Sequence, residues 1–529
     1  MKKVMFTDTE THSLYGEVCL FQYVGLEGKA KVKKYPSTKW MRKFIKKHHT
    51  VWYNASYDLG TIGIDFLDYE FDDLFYAGKT AYPEFDRYSL DIFHDRLGMN
   101  FYDHSLDKKK MQKSFTTAAA KKSREATQEQ VDYAKADVLT LREMWKNKRI
   151  QRVLRRNKAY KVDIESLKYS LIYQRNGIPV DRVALSEERD KLVDAISRNE
   201  KLLKGLNPNS PKQCREALGV PATSKDIMVE LIANGNKLAK VIYEQRRLLK
   251  ARGMLNSWDY DRIYTHFNPA GAITGRFTSS GGDEEGYVNS QQISRQYQYM
   301  FHSTEEDRVT FEIDYSTAEL RAGCSIMGDK TMYKELMSGT DLHIEAAKLT
   351  GIKNPTREDR QKGKAVSFGL IFSMSAASFQ EYAFTEYGVT FTQEESRVIH
   401  GNYHKKYTGI SNYHDYAWRN YKTVNVETAL GRRNRCRLGT DFSNYATQGS
   451  IAEATKLSAI YLVRKYPEAL KLIINVVHDA IYIDCKRSDF ELWSKRLDWA
   501  MQKGWKKICK SDLFKFKDIP MPTEVEEIK

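Results

Sequence analysis

The sequence predicts a multidomain protein of mixed α/β class. The chain has 529 residues, enough for two to four domains. It is 41% hydrophobic and 29% charged, so it can bury real cores and is not a disordered chain. Its patterning also changes along its length. Residues 1–75 read as short strands and turns with an intervening helix, and 125–147 as a helix followed by basic, linker-like sequence to about Lys161. From Ile164 to Arg252 the pattern is mostly helical, broken by Gly177-Ile178-Pro179 and Asn207-Pro208-Asn209-Ser210-Pro211. From about Tyr264 onward strands and helices are mixed.

Net charge is +16, with Lys/Arg-rich stretches at Lys29–Lys34, Arg42–Lys47, Lys108–Lys113, Lys146–Lys161 and Lys237–Arg252. A polyanionic partner follows, because each phosphate neutralised releases counterions. A solvated helix face is the competing reading of any single run, and charge alone does not separate an enzyme from a passive nucleic-acid binder. The six cysteines are scattered without a Cys-x-x-Cys pair, which reads as reduced thiols and excludes a closely spaced zinc site. Leu472 to Val477 is far too short to span a membrane. Lys2 and Lys3 are followed too soon by Asp8 and Glu10 for a signal peptide. The expectation is a cytoplasmic protein with no membrane partner.

Val4 to Glu10 reads as a strand on which Asp8 and Glu10, two apart, face the same side. Two adjacent carboxylates are costly unless a cation sits between them. Asn54-Ala55-Ser56-Tyr57-Asp58 supplies another acid at a strand-to-helix junction, and Tyr133 and Asp137 share a helix face at i,i+4. Four carboxylates can hold two Mg²⁺ ions, which stabilise the attacking and leaving oxygens of an in-line phosphoryl displacement, and the tyrosine can orient the attacking water. In type, order and spacing these segments resemble the three exonuclease motifs of the DnaQ-like proofreading family. That resemblance implies an RNase H-like sheet domain, with Asp8, Glu10, Asp58 and Asp137 as metal ligands and Tyr133 as the water-positioning residue.

Further on, Val309 to Asp314 reads as a strand that leads through Tyr315 into a helix carrying Glu319. Ile473 to Ile483 reads as a hairpin with His478-Asp479 at its tip. If that hairpin lies beside the Val309 strand, Asp314 and Asp479 meet and, with the Tyr315 carbonyl, suffice for two Mg²⁺ ions. Between them, Arg360, Lys364 and Phe368 form a stripe of about 12 Å on one helix face. Two cations followed by a ring match a nucleoside triphosphate laid lengthwise; an ordinary amphipathic helix is the plainer reading of that segment alone.

Together these segments resemble motifs A, B and C of family A DNA polymerases. Gly177-Ile178-Pro179-Val180-Asp181, Asn209-Ser210-Pro211-Lys212-Gln213, Thr274-Gly275-Arg276-Phe277-Thr278-Ser279 and Asp341-Leu342-His343 extend the match. The resemblance implies a right-hand palm, fingers and thumb domain behind the exonuclease. The expected divisions are 1–150 for the exonuclease, 151–264 for linker and thumb, 265–340 and 426–529 for the palm, and 341–425 for the fingers. It implies Asp314 and Asp479 as metal ligands with Tyr315, and Lys364 as the acid that protonates pyrophosphate. Arg360, His343 and Lys364 would bind the triphosphate, with Phe368 and Phe372 beside the nucleotide and Glu319 blocking a ribose 2′-hydroxyl. Arg276, Asn289, Gln291, Asn444, Gln448 and His478 would contact primer–template. Two Mg²⁺ ions are implied at each site, replaceable by Mn²⁺. The partners implied are primer–template DNA and dNTPs, with a helicase, primase or single-strand-binding protein around a monomeric enzyme.

Departures from the pattern are specific. Motif C reads His478-Asp479-Ala480 where the family has His-Asp-Glu, Phe372-Ser373 replaces Tyr-Gly, and Thr440 replaces an Arg. Phe372 removes a donor to Glu319, so Glu319 is expected to be less rigidly held. With no 5′-nuclease domain expected ahead of the exonuclease and a short thumb expected, the plan resembles a bacteriophage or mobile-element replicase. A single-subunit RNA polymerase is the second enzyme reading, opposed by Glu319 and the exonuclease motifs. A primer–template-binding scaffold without chemistry is the third, opposed by intact acids at both sites.

Overall fold

In β1, Val4–Thr11, Thr7, Thr9 and Thr11 are buried while Asp8 and Glu10 are half-buried, the alternation the sequence calls for. A computed structural model of the chain describes residues 2–13, 16–63, 67, 69–101, 108–282 and 284–529. β2, Val18–Gly25, and β3, Lys31–Lys34, continue from β1 antiparallel. β4, His49–Trp52, adds parallel to β1, and β5, Phe71–Asp73, parallel to β4, for a sheet order β3-β2-β1-β4-β5. The parallel pairs require crossovers, and the helices Thr38–Lys47 and Ala55–Ile62 supply them. The helix Gln128–Lys146, begun by a Thr127/Gln130 capping box, packs on β1 and β2 and closes a core around Phe6, Phe21, Trp52 and Leu141.

The stretch from 148 to 161, expected as linker, is helical. Asn147 caps Lys148–Arg156 and Asn157 caps Lys158–Tyr173 through side-chain oxygens. The second of these helices is shared. Tyr160 and Ile164 pack with the first sheet's core, whereas Tyr169 and Tyr173 pack with the larger C-terminal core. The next two long helices, Arg182–Leu203 and Lys237–Ser257, pack against each other.

The C-terminal part is built on an antiparallel sheet of four strands, in the order Ile473–Val477, Ala480–Lys486, Arg308–Tyr315, Thr523–Glu527. Inward residues such as Phe311, Ile313, Ile481 and Ile483 bury against the helices Gly439–Lys465 and Phe490–Cys509. Helices between Leu342 and Asn420 pack onto the same core.

Candidate active site

The C-terminal site starts from register. Ile313 pairs with Ile481 and Val477 with Ala480, so the tight turn at His478-Asp479 sits beside the end of the strand that carries Asp314. His478 takes a left-handed φ of 53°, which turns the chain and presents Asp479. Burial first, then the Asp479 charge and the Glu312 charge, raise the pKa of Asp314. Burial also raises Asp479, opposed by the Arg276 charge and reinforced by Glu319. Asp314 Oδ1 is buried without a hydrogen-bond partner. Two carboxylates raised by burial and like charge, one oxygen unsatisfied, form an all-oxygen donor set of the kind that suits Mg²⁺.

The cationic stripe lies on the helix Arg360–Leu370, where Arg360, Lys364 and Phe368 are half-buried and Gly363, Ala365, Val366 and Ser367 are buried. Gly363 lets this helix cross Leu342–Lys348 closely, since a Cβ there would lie 1.7 Å from the His343 carbonyl oxygen. Asp341 caps the Leu342–Lys348 helix and also accepts from Arg360 Nε at 2.7 Å. Ser367 Oγ donates to the Gly363 carbonyl, so its 3.2 Å contact with His343 is a bond donated by His343 Nδ1. Burial, then the Arg360 charge, lowers the His343 pKa to about 4, and its ring lies 5.3 Å from Phe368. Among the described residues Lys364 has no hydrogen bond or ion pair.

Glu319 is the hinge between the acids and the chain's own polar groups. Its Oε1 accepts from Arg276 Nη2 at 3.0 Å and from Gln448 Nε2 at 3.1 Å. The expectation that Phe372 leaves Glu319 loosely held is therefore corrected: two donors from other elements anchor it. Gln291 Nε2 donates to the Val476 carbonyl in the hairpin, and Asn289 Oδ1 accepts from Ser279 in the strand Thr278–Ser280. Asn444, one turn before Gln448, instead lines a cavity of about 380 Å³ shared with Lys79, Phe85 and Tyr88 of the N-terminal domain.

At the N-terminal site Asp8, Glu10 and Asp137 each offer an oxygen within 4.8 Å of the others. Gln22 Nε2 donates to Asp8 Oδ2 at 2.5 Å. Burial, then the Asp58 charge, raises Asp8 well above the usual carboxylate range. Asp58 stands outside the three-oxygen group, its Oδ1 accepting from Thr9 N at 2.9 Å and Thr9 Oγ1 at 2.6 Å. Tyr133 is buried, and after burial the charges of Asp137 and Glu10 push its pKa up, which places it beside the cluster.

Sequence reasoning missed two buried acids near the C-terminal site. Glu312 shares a strand face with Asp314, and plain i−2 alternation could have found it. Asp163, buried with Arg432 and Lys456, carries no motif and is visible only in three dimensions.

Residues 184–526 match the family described as DNA polymerase family A. DNA polymerase I of Aquifex aeolicus (strain VF5) is 27% identical over 542 residues, covering 92% of this chain and 88% of that protein. DNA polymerase I of Bacillus subtilis (strain 168) is 23% identical over 373 residues, covering 62% of this chain and 42% of that protein. The chain thus spans less than half the length of the latter. A solved structure titled POL domain of Pol1 from M. smegmatis, complex with DNA primer-template and dNTP, superposes with TM-score 0.73 at 18% identity, covering 99% of this chain and 95% of that one. The fold is the palm, fingers and thumb fold of a polymerase. The chain belongs to DNA polymerase family A.

Proposed function

We propose that this protein is a DNA-templated DNA polymerase that extends a primer 3′ end with dNTPs and proofreads with a separate 3′→5′ exonuclease site. The observation that carries the first half is the approach of Asp314 and Asp479 at the end of the four-stranded sheet, with Arg276 and Glu319 close enough to act on Asp479. Bound divalent cations would supply stabilisation of the attacking and leaving oxygens. Asp314, Asp479 and the Tyr315 carbonyl would hold them. Arg360 and Lys364 orient the triphosphate, and Lys364, which pairs with no carboxylate among the described residues, delivers a proton to departing pyrophosphate. His343 donates Nδ1–H to Ser367, so its Nε2 is the atom left to meet a phosphate oxygen, and an incoming anion favours its protonation. Glu319, fixed by two donors, is the group that would exclude a 2′-hydroxyl.

The exonuclease half rests on the Asp8, Glu10 and Asp137 oxygens, whose mutual repulsion a divalent cation relieves. The mixed sheet that carries Asp8 and Glu10 supports the RNase H-like reading. Tyr133 orients a water toward the terminal phosphodiester, and Asp58, held by Thr9, adds a fourth carboxylate whose charge on Asp8 a cation would relieve.

Primer extension with Mg²⁺ on matched and mismatched 3′ ends tests both halves. Extension of the matched primer, and removal of the mismatched nucleotide before extension, is the expected pattern. A folded protein that does neither overturns the proposal.

A further inference from the structure

The loop between the strands His266–Asn268 and Thr278–Ser280 presents Arg276 to Glu319. It is gripped at both ends. On one side, Lys456 Nζ, buried inside the helix Gly439–Lys465, donates to the Gly275 carbonyl at 2.6 Å and to Asp163 at 2.7 Å. Gly275 has φ 84°, and a Cβ there would lie 2.4 Å from Arg432 Nε, so the backbone passes tightly over this ionic group.

The grip on the other side comes from the N-terminal domain. Lys79, on the helix Leu74–Ala81, donates to the carbonyls of Ala270 at 2.7 Å, Gly271 at 2.8 Å and Ala272 at 3.3 Å. One ammonium has three N–H groups, and here each meets a successive carbonyl of one loop. Tyr76, three residues earlier and fully buried, donates to Asn268 Oδ1 at 2.9 Å. Between the two grips only Ile273 and Thr274 intervene, and Ile273 is 64% exposed.

We infer that Lys79, in the N-terminal domain, is a positioning residue for Arg276, so that the geometry at the primer end depends on a contact from the other domain. The inference rests on the polymerase reading of the Arg276 site. Without Lys79 three carbonyls lose their common donor, and on that side only the Tyr76–Asn268 bond and the turn's own hydrogen bonds remain.

Single-nucleotide extension kinetics on a matched primer, in a D8A/E10A background that silences degradation, provide the test. Lys79→Met is expected to lower kcat on the order of tenfold with the dNTP KM little changed, as a sub-ångström to ångström shift of a positioned group does. In an Arg276→Ala background the same change should cost less than about twofold, because both act through one contact. Tyr76→Phe, which removes one hydroxyl and spares the fold if Lys79→Met does not, should give a smaller kcat loss that also vanishes without Arg276. Multiplying effects of Lys79→Met and Arg276→Ala, or a full-rate Lys79→Met protein, overturn the inference. Failure of the unmodified protein to extend any primer would instead overturn the polymerase reading.

Discussion

Arg276 and Glu319, 43 residues apart in sequence, form an ion pair of 3.0 Å, and Gln448 donates to the same carboxylate oxygen at 3.1 Å. Both donors are groups proposed to contact primer–template, so the proposed sugar-excluding carboxylate would be held by the proposed DNA-contacting residues.

That linkage reverses what Phe372 alone suggests. Phe372→Tyr should leave the dNTP/rNTP ratio of kcat/KM within about twofold, since a charged hydrogen bond already supplies about 1.5–3 kcal/mol of anchoring. Glu319→Ala should collapse the ratio, and Gln448→Ala should lower it partway. Single-nucleotide insertion with both nucleotide types measures all three.

Phe368 should make the protein a poor user of dideoxynucleotides. It carries no hydroxyl to stand in for the missing 3′-hydroxyl, and its ring is held 5.3 Å from His343. Phe368→Tyr should raise dideoxynucleotide incorporation about tenfold or more, each tenfold being about 1.4 kcal/mol of transition-state discrimination. Chain-termination ladders would show the change; unchanged termination would remove Phe368 from the sugar's side.

Gly363→Ala should damage both stability and extension. The added methyl has no room against the His343 carbonyl, so the Arg360–Leu370 helix must move outward. A cost of about 1–3 kcal/mol is expected from the overpacking. Thermal unfolding reads the first effect and the dNTP KM the second, because Arg360 and Lys364 move with the helix.

Metal should stabilise the protein more at high pH than at low. Asp58 titrates near 7 when folded against 3.8 for the free group, and Asp8 is raised as well. Between those values the folded state holds the extra protons, so metal-free stability falls as pH rises from about 4 to 7. Above that window the like charges stand unrelieved until a divalent cation binds. Mg²⁺ should therefore raise Tm more at pH 8 than at pH 5, and Asp8→Asn should raise metal-free Tm at pH 8 while shrinking the Mg²⁺ shift. An equal Mg²⁺ shift at both pH values would contradict a carboxylate-based site.

Local pattern made much of this legible. Alternation put Asp8 and Glu10 on one face, the i,i+4 spacing put Tyr133 and Asp137 on one helix side, and two apolar strands around His478-Asp479 gave the hairpin. The basic run through Lys161 misled because composition outweighed the two asparagine caps that start its helices. Long-range partners were out of reach. Nothing local announces that Lys79 meets the carbonyls of 270–272, or that Gln448 compensates Phe372, because such contacts are fixed by how distant elements pack.

Separating the two sites tests the account most directly. The same purified preparations of Asp314→Asn and of D8A/E10A would be compared on a 3′-labelled and a 5′-labelled primer–template with Mg²⁺. Asp314→Asn should lose extension and keep 3′→5′ degradation, and D8A/E10A should do the reverse, because the two acid groups are carried by different sheets. Loss of both activities from either variant in a folded protein would contradict the account.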